Sequence, residues 1–590
     1  MTYDLRCESW IPWRRRSGIV QWGPPTALVA RMSGPDADPV VAIAAPRPDF
    51  NGALAEFLIG LLSAALQPAN EREWKARWDE PPTEEVLRNA LDALPAAFNL
   101  DGDGPRFFQD LGIADFADVE LAPVEQLLID TPGDQGIRLN KDLFVKRARV
   151  EQLGRPAAAM ALLTLQTYAP AGGQGHRTSL RGGGPLSTLV DPRVDAEGRS
   201  HADQRALWYK LWANVETAAQ LAGRAPADAP STLALAFPWL ASTRTSNARA
   251  GGRATSPGDG HPLQAYFGMP RRIRLEFGDA GRCDLTGRDD KRTVTGFRML
   301  NYGVQYEHWH HPLSPHYRKK PTEEWLPVHG QPGGLGWRDW AALTLQPSDD
   351  ALREAAAAVR AFSRRGTDVG VRRAALHAFG YDMDNMKARG WVESNLPVFV
   401  CPPERARLLH DTAAALTEAA SLAASVVFGA VKEALFQSAD NAGGDLGHVR
   451  TELWSDTESA FYAVMHDLAA SPVDEYTAAE EARRRCAVFA GVLRDAALAV
   501  FDRWCPAAGL EPAALRRRVT ARYNLATMLM GYSKLGEQMF GLLGLTPPGG
   551  GREARAKAKR ARSAANSSSG VSQTTKRSSR KKRSAKEGTE

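Results

Sequence analysis

Four histidines within nine residues form the densest set of candidate metal ligands in the sequence: His308, His310, His311 and His316. Imidazole nitrogens bind zinc and similar divalent ions, so this cluster fits a metal site or part of a metal-dependent nuclease. Nuclease metals usually also need carboxylates, and Glu307 is the acidic residue beside the cluster. A proline-punctuated turn with surface histidines is the simpler interpretation, and we expect no metal here.

A basic segment with one aromatic ring is a candidate for contact with nucleic acid. Its residues are Lys141, Phe144, Lys146, Arg147 and Arg149. Lysine and arginine neutralise phosphates, and an aromatic ring among them can stack on a base. A solvated charged loop has the same composition, so the residues alone leave both interpretations open.

A further candidate is the glycine-rich segment Ala171-Gly172-Gly173-Gln174-Gly175, which another run of glycines follows at 182–184. Glycine adopts backbone conformations that other residues avoid, and it lets the backbone approach a ligand closely. Such a backbone can enter a narrow DNA groove in which a side chain would clash. The alternative is a plain flexible loop.

Common catalytic signatures are missing from the sequence. It contains no phosphate-binding P-loop, no nucleophile elbow and no HExxH zinc motif. The five cysteines lie far apart and form no CxxC pair, which fits a reducing compartment. We therefore expect a cytoplasmic protein that is not an enzyme and that carries no cofactor.

The net charge of +6 is unevenly distributed. Residues 551–590 hold thirteen Lys or Arg and three Glu, a net charge of +10, so the other 550 residues carry −4. Contacts with nucleic acid must then come from local basic patches of the folded part. No run of eighteen apolar residues and no secretory signal is found, so we expect no membrane partner.

The elements that must position these residues change in type along the chain. The first part mixes strands, at 19–22 and 40–43, with helices around 57–62 and over 71–92, the latter interrupted at Pro81. Glycine and proline predict a loop-rich stretch from about 130 to 193 and a mobile surface loop over 241–261. After Ser348 the composition is typical of helices, expected near 350–364, 404–437, 447–470, 474–503 and 512–542.

These elements predict an α+β fold. A large mixed N-terminal domain should cover residues 1–365 and carry the candidate loops, and 366–400 should be a linker with a polar turn. Four long helices with short connections predict a four-helix bundle over 401–545. Residues 546–590 have almost nothing to bury and should form a disordered basic tail.

Several segments, in order from about residue 5 to 545, resemble CasA, the large subunit of the type I-E CRISPR Cascade complex. They include Glu8-Ser9-Trp10-Ile11-Pro12, Pro46-Arg47-Pro48-Asp49-Phe50, the stretch from Pro170 to Gly183, Thr295-Gly296-Phe297, His311-Pro312-Leu313-Ser314-Pro315 and Gly380-Tyr381-Asp382-Met383-Asp384-Asn385. The resemblance implies a large mixed domain followed by a helical bundle, in agreement with the elements predicted above.

The resemblance also implies a binding subunit of an RNA-guided antiviral complex. It would sit at the 5′ handle of the guide RNA, beside the 5′-end capping backbone subunit and the small subunits. There it would read the protospacer-adjacent motif on double-stranded target DNA, help to open the duplex for the R-loop, and recruit the CRISPR helicase–nuclease. A metal-dependent nuclease that uses the cluster from His308 to His316 is the alternative.

Matching motif by motif, the resemblance assigns roles to particular residues. The motif-reading loop falls on Ala171–Gly175, where Gln174 replaces a glycine of the best-known members. The wedge that separates the first base pairs falls on Asp384 and Asn385, and Asn385 stands where glutamine is familiar.

The same matching places two further elements. The guide-handle loop covers about Lys141 to Arg155, with Phe144 as its aromatic residue. A basic finger falls on Asn301, with Arg298 nearby, so both are candidate DNA contacts. Cys283 is the remnant of a cysteine cluster, and a hydrogen-bonded turn is expected in place of zinc.

Overall fold

The computed structural model describes residues 2–113, 119–140, 149–173, 175–195, 197–345, 352–384, 387–438, 446–470, 475–507 and 511–550, with short stretches between 553 and 561. The chain divides into two compact units, Met1–Ala406 and Arg407–Glu590. The first mixes helices and strands, and the second is helical. The predicted α+β class is therefore confirmed.

The described part of the first unit contains nine α-helices. They are α1 Pro48–Ala65, α2 Glu71–Asp79, α3 Glu84–Asp92, α4 Asp134–Arg138, α5 Arg155–Tyr168, α6 Leu207–Ala213, α7 Ala218–Arg224, α8 Trp337–Thr344 and α9 Ala357–Asp368. The break predicted at Pro81 separates α2 from α3. The helix predicted near 350–364 begins later, because a short strand occupies 353–354.

The same unit holds fifteen described strands. They are β1 Ile11–Arg15, β2 Val20–Gly23, β3 Val40–Ile43, β4 Leu121–Pro123, β5 Leu153–Gly154, β6 Ser187–Asp191, β7 Arg272–Phe277, β8 Gly281–Arg282, β9 Asp289–Asp290, β10 Thr293–Leu300, β11 His316–Tyr317, β12 Leu326–Pro327, β13 Arg353–Glu354, β14 Arg373–Asp384 and β15 Lys387–Phe399. They form small sheets in the orders β2-β1-β3, β4-β10-β5 with β7 on β10, β12-β11-β13, β15-β14-β6 and β8-β9.

The segment predicted as a linker, 366–400, is instead mostly a long antiparallel hairpin. Its strands β14 and β15 pair from Arg373 with Phe399 to Asp384 with Lys387, and β14 also pairs with β6. The hairpin belongs to the first unit. The linker prediction was wrong because the hairpin lies in Ala- and Arg-rich sequence, and β14, which lies between β15 and β6, has a continuous buried run at 378–382 in place of a regular alternation.

The loop-rich prediction for 130–193 also missed two buried elements, α5 and β6. All five residues of β6 are buried, and so are eleven residues of α5. A fully buried segment shows neither the helical nor the alternating pattern of hydrophobic residues, so the neighbouring glycines dominated the prediction. The predicted surface loop 241–261 contains short 3-10 helices at Ala248–Ala250 and Pro257–Asp259.

Helix α1 is the centre of the first unit. Pro48 occupies its first turn, where the missing amide proton costs nothing, and fourteen of its residues are buried. Gly52 makes room for the hairpin, since a Cβ there would lie 2.7 Å from the ring of Trp391. The Tyr381 hydroxyl of β14 donates to Asp49 at 2.6 Å. The first half of α1 therefore fixes the hairpin.

A buried ion pair connects α1 to the loops that follow α5. Arg181 donates to Glu56 at 2.6 Å, and both side chains are only 3–4% exposed. Tyr168 and Ser187 donate their hydroxyls to the other Glu56 oxygen, each at 2.5 Å. Arg181 also donates to the hydroxyl of Ser314 at 3.0 Å. This cluster of Glu56, Arg181, Tyr168, Ser187 and Ser314 is called the Glu56 network below.

The second unit contains five described helices: α10 Pro403–Leu435, which begins just before the boundary, α11 Gly447–Ala470, α12 Glu475–Trp504, α13 Pro512–Leu529 and α14 Lys534–Leu542. The first three agree closely with the predicted positions. The predicted helix 512–542 is divided because Gly531 adopts a left-handed φ of +82°. The Gly531 amide donates to the Met528 carbonyl, and the Tyr532 amide donates to the Thr527 carbonyl. This pair of hydrogen bonds is the Schellman motif that ends a helix.

Buried residues of α10 recur every three or four positions, as in the series Leu409, Thr412, Leu416, Ala419 and Ala423. This spacing is typical of a helix packed lengthwise in a helical domain. By length and composition α10 is also the described helix that is able to cross a membrane. A core helix passes the same test, so this property assigns no membrane.

The basic tail predicted over 546–590 lies mostly outside the described residues. A short 3-10 helix spans Pro548–Gly550, and helical turns occur between 553 and 561.

Replacing Glu56 with Gln should destabilise the first unit strongly. The substitution keeps the side-chain volume but leaves the buried Arg181 charge without a counter-charge, which typically costs about 3–5 kcal/mol. Lys75→Ala is the matched control, because it removes an ion pair whose side chains are about half exposed and should cost less than about 1 kcal/mol. Urea unfolding followed by tryptophan fluorescence measures both. Equal losses in the two variants would contradict a structural role of the network.

Candidate nucleic-acid interface

The predicted motif-reading loop leaves the core directly after α5. Its base is closed by a hydrogen bond from the Ser179 amide to the Ala169 carbonyl, 3.0 Å long. Gly173 and Gly175 have φ values of +91° and +79°, a region that glycine adopts without strain. Gln174 lies outside the described residues. The glycines at 173 and 175 are therefore required by the backbone itself.

Space around the loop differs sharply from one glycine to the next. A Cβ at Gly172 would lie 2.8 Å from the guanidinium of Arg271, whereas a Cβ at Gly173 would meet no atom within 4 Å. Gly172 and Gly173 are both exposed, and Ala171 is half-buried. The loop is therefore packed against the protein at Gly172 and open to an incoming ligand at Gly173.

A buried cation lies beneath the loop. Arg271 is 6% exposed and donates to the carbonyl of Pro170, just before the loop. Burial lowers the pKa of Arg271 to about 10, so the group stays charged at neutral pH. Burial and, next, the charge of Arg271 lower the pKa of His176, which is therefore neutral at pH 7. The loop thus sits on one positive charge that has little contact with water.

Asn301, predicted as a DNA contact, lies against this loop. The amide of Tyr302 donates to the Gly175 carbonyl at 2.8 Å. The Asn301 side chain bonds to His176, and a Cβ at Gly175 would come within 2.9 Å of the Asn301 Cβ. The tertiary structure therefore joins two candidates that are more than a hundred residues apart in sequence.

Arg298 is tied to its own sheet. It stands on β10, donates to the carbonyl of Val119 and lies 3.5 Å from Glu276 of the neighbouring strand β7. Its side chain is 24% exposed. A role of Arg298 in binding DNA stays a prediction, and the ion pair would have to be exchanged for a phosphate.

The second run of glycines connects the motif-reading loop with the hairpin. A Cβ at Gly183 would lie 3.4 Å from the Cα of Pro170. Gly184, with a φ of +66°, faces the hairpin on its other side: a Cβ there would lie 2.4 Å from Met383 and 2.6 Å from the Tyr381 carbonyl. Arg181, the residue before this run, belongs to the Glu56 network. The motif-reading loop and the β14–β15 hairpin therefore both pack against the short segment of Gly183 and Gly184.

The predicted wedge lies at the tip of the β14–β15 hairpin. Asp384 is exposed and pairs in register with the exposed Lys387, while Asn385 lies outside the described residues. Below the tip, Arg389 makes a two-pronged ion pair with Asp382 at 2.7 and 3.0 Å. The alternative interpretation, a turn or helix cap formed by these polar residues, does not hold for Asp382 and Asp384, which lie in strand β14.

The predicted guide-handle loop lies mostly outside the described residues, which include neither Lys141, Phe144, Lys146 nor Arg147. Arg149, where the description resumes, is exposed. Just after it, the amides of Glu151 and Gln152 donate to the Asp284 carboxylate at 2.8 and 2.9 Å. This end of the loop is therefore fixed to the turn between β8 and β9.

That turn contains Cys283, the remnant of the cysteine cluster. Cys283 is buried, its amide donates to the Arg288 carbonyl, and its carbonyl accepts from the Gly287 amide, both at 2.8 Å. Gly287 has a φ of +65°. Backbone hydrogen bonds hold this turn, as the sequence predicted.

The four clustered histidines do not converge on one point. His308 is exposed and pairs with Glu324 at 2.7 Å, whereas His311 is buried 3.9 Å from Glu56. Only His310 and His316 come together among them, with ring centroids 4.7 Å apart. The interpretation as a turn of surface histidines was correct for His308 but wrong for His311 and His316, which are buried.

A family model for the CRISPR-associated protein Cse1 matches residues 4–497. The chain belongs to the Cse1 family. A solved structure of the Thermus thermophilus member is described by both names, CasA (Cse1), so the family predicted from the sequence motifs is confirmed. No curated protein matches this chain in a sequence search.

Solved Cse1 structures share the fold of this chain at low identity. Thermobifida fusca Cse1 has a TM-score of 0.66 and 18% identity, covering 91% of this chain and 98% of its own. Thermus thermophilus CasA (Cse1) has a TM-score of 0.59 and 18% identity, covering 92% and 99%. A chain of a structure described as a CRISPR RNA-guided surveillance complex has a TM-score of 0.60 and 16% identity, covering 89% and 99%.

Two residues that support the candidate interface were not singled out as sites by the sequence. Arg271 belongs to a basic run, Arg271-Arg272-Ile273-Arg274, which is more typical of a solvated surface. Arg181 adjoins the second run of glycines. The last three residues of this run begin β7, where Ile273 is buried and both its neighbours are half-buried, but Arg271 precedes the strand and no local pattern marks it as buried.

Gly184→Ala should loosen the hairpin tip. The new methyl group would overlap Met383 and the Tyr381 carbonyl, so β14 has to shift. Gly173→Ala is the matched control, because its φ is also positive but no atom lies within 4 Å. Amide hydrogen exchange of residues 380–390 should become at least about tenfold faster in Gly184→Ala than in the control, consistent with about 1–3 kcal/mol of overpacking. Equal exchange in both would show that the close approach does not matter.

Proposed function

We propose that this chain is the non-catalytic, DNA-reading large subunit of a type I-E Cascade surveillance complex. Membership of the Cse1 family supports this, as does the fold shared with a chain of an RNA-guided surveillance complex. In such systems the protein reads a short motif on the duplex and base pairing to the guide reads the rest. The four long helices of the second unit are proposed to form the family's four-helix bundle.

The observation that carries the proposal is the connection between the motif-reading loop and the wedge hairpin. Pro170, before the loop, and Met383, before Asp384, both contact the glycines at 183 and 184. A protein that reads a motif and opens the adjacent base pair needs its two contact elements held at a fixed spacing. A shared, closely packed base supplies that rigidity.

Reading of the motif is assigned to the exposed backbone at Gly172 and Gly173, with Gln174 and Asn301 beside it. The minor groove is narrow, and its hydrogen-bonding pattern is degenerate. A backbone without side chains enters it readily, and the positive charge of Arg271 beneath favours the negative potential of the groove. We therefore expect tolerance of more than one motif sequence.

Opening of the duplex is assigned to Asp384 and Asn385. Inserting a group between base pairs costs a few kcal/mol per unstacked step, which the motif contacts must offset. The long hairpin is able to hold the wedge in place, because Tyr381 anchors it to Asp49 of α1 and the ion pair between Arg389 and Asp382 joins its two strands below the tip. Lys387 at the tip offers a cation to the displaced strand.

The remaining partners follow the family. We propose that Phe144 and the cations Lys141, Lys146, Arg147 and Arg149 engage the 5′ handle of the guide RNA and its capping backbone subunit. Aromatic stacking and phosphate neutralisation suit a single-stranded RNA end. Further contacts are expected with the small subunits, and recruitment of the helicase–nuclease is expected once the R-loop has formed.

Gly173→Asp should abolish motif-dependent duplex binding while the complex still assembles. The position is open within the protein, so the added carboxylate meets only the incoming DNA, whose phosphates it repels. Binding of the guide-RNA complex to duplexes with and without a candidate motif is measured by gel shift at fixed salt. The expected loss of affinity for the motif duplex is at least tenfold, or about 1.4 kcal/mol.

The matched control for this variant is Gly34→Asp. Gly34 is also exposed, has a φ of +94° and has no atom within 4 Å of a Cβ. It stands in an acidic loop with Asp36 and Asp38. Binding of the Gly34→Asp complex should equal wild type. Wild-type binding by Gly173→Asp would remove the loop from the motif-reading role.

Asn385→Ala should weaken R-loop formation more than initial duplex binding. The side chain is proposed to contact bases only after the first pair has opened. Permanganate footprinting of unpaired thymines reports opening, and gel shift on a duplex with chemically cross-linked strands reports binding without opening. A pre-opened bubble beside the motif should restore the variant to wild type. An equal loss in both assays, with no rescue by the bubble, would assign Asn385 a purely structural role.

A further inference from the structure

Three side chains of the first unit meet beside the short strand β11: His310, His316 and Glu354. One nitrogen or oxygen atom from each lies within 4.8 Å of the others. His316 stands opposite Glu354 in the β11–β13 register, and the rings of His310 and His316 are stacked with an interplanar angle of 24°. The set was invisible in sequence because Glu354 is 38 positions after His316.

His316 contains a buried polar atom without a partner. The side chain is 4% exposed, and its Nε2 atom makes no hydrogen bond within the protein. Buried polar atoms are almost always bonded to protein, water or an ion, so this atom calls for a ligand. An imidazole nitrogen that makes no other bond is the type of donor that a divalent ion of the zinc class takes.

The surrounding charges decide which cation suits the site. Arg360 holds one oxygen of Glu354 at 2.6 Å, which leaves the second oxygen available. Arg224 donates to the carbonyl of His310 at 2.9 Å. With one carboxylate against two nearby cations, the site is a poor cage for Mg²⁺ or Ca²⁺, which need several oxygen ligands. Two imidazoles and one carboxylate instead match the preferences of zinc.

We propose that His310, His316 and Glu354 bind one divalent ion of the zinc class, with the fourth position taken by water. Zinc–nitrogen bonds of about 2.0–2.1 Å place tetrahedral ligand atoms about 3.3 Å apart. His310 and Glu354 are half-buried, so rotations of their side chains are able to close the remaining distance. The bound ion would fasten the turn before β11 to β13.

The proposed ion has a structural consequence for the interface. The same turn carries His311 and Ser314, which lie against Glu56 and Arg181 on its other side. Fixing the turn by metal therefore stiffens the Glu56 network, on which the base of both candidate DNA elements rests. This inference concerns metal binding alone and does not depend on the proposed function.

The test uses the untagged full-length chain, freed of metal by a chelator and titrated with Zn²⁺ alone by calorimetry. We expect one ion per chain in the wild type. His310→Gln and Glu354→Gln, both at half-buried positions that tolerate substitution, should weaken binding by about tenfold or more. Zn²⁺ should also raise the thermal unfolding temperature of the wild type but not of these variants.

His308→Gln is the matched control, since this histidine lies in the same turn but is exposed and paired with Glu324. It should bind Zn²⁺ as the wild type does. Cobalt substitution separates the site from the five cysteines, because ligands without sulfur give no thiolate charge-transfer absorption. Absence of stoichiometric binding, binding that is equal in all variants, or a thiolate band would each overturn the proposal.

Discussion

The ion pair between Glu56 and Arg181 is the interaction on which the rest of the first unit depends. Two charges removed from water are tolerated only when each is fully bonded, and here hydroxyls of Tyr168, Ser187 and Ser314 complete the arrangement. Each partner belongs to a different element: α1, the end of α5, the glycine-rich loop, β6 and the histidine turn. The buried ion pair and its hydrogen bonds therefore fix five segments that hydrophobic packing alone would position less exactly.

The placement of the glycines follows from that anchor. Once Arg181 is fixed, the chain must pass between Pro170 and the hairpin at 183 and 184, and at Gly184 no side chain fits. In the motif-reading loop, the missing side chain of Gly172 leaves room for the guanidinium of Arg271, whereas Gly173 faces open space. The loop is thus closely packed at Gly172 and open at Gly173.

The turn before β11, which carries His310, His311 and Ser314, has different neighbours on its two sides. His311 and Ser314 face the Glu56 network, while His310 and His316 face Glu354 on β13. The residues are close in sequence but alternate between two environments, which is why a cluster of four histidines does not form a four-ligand site. A metal on one side and an ion pair on the other would stabilise the same short segment.

The amino-acid sequence by itself determined the α+β class, the positions of the long helices after Pro403 and the family, because helical periodicity and ordered motifs are local properties. It singled out the glycine loop and the Asp384 segment but not their shared packing on Gly183 and Gly184, and it missed α5, β6 and the β14–β15 hairpin. Segments such as α5 and β6 that are buried on every side carry no amphipathic pattern, and the pairing of β14 with β6 and β15 is a long-range property, so only the tertiary structure revealed them. Long-range partners, such as Arg181 for Glu56 or Glu354 for His316, are likewise decided by folding, since nothing local specifies which distant charge will neutralise a buried one.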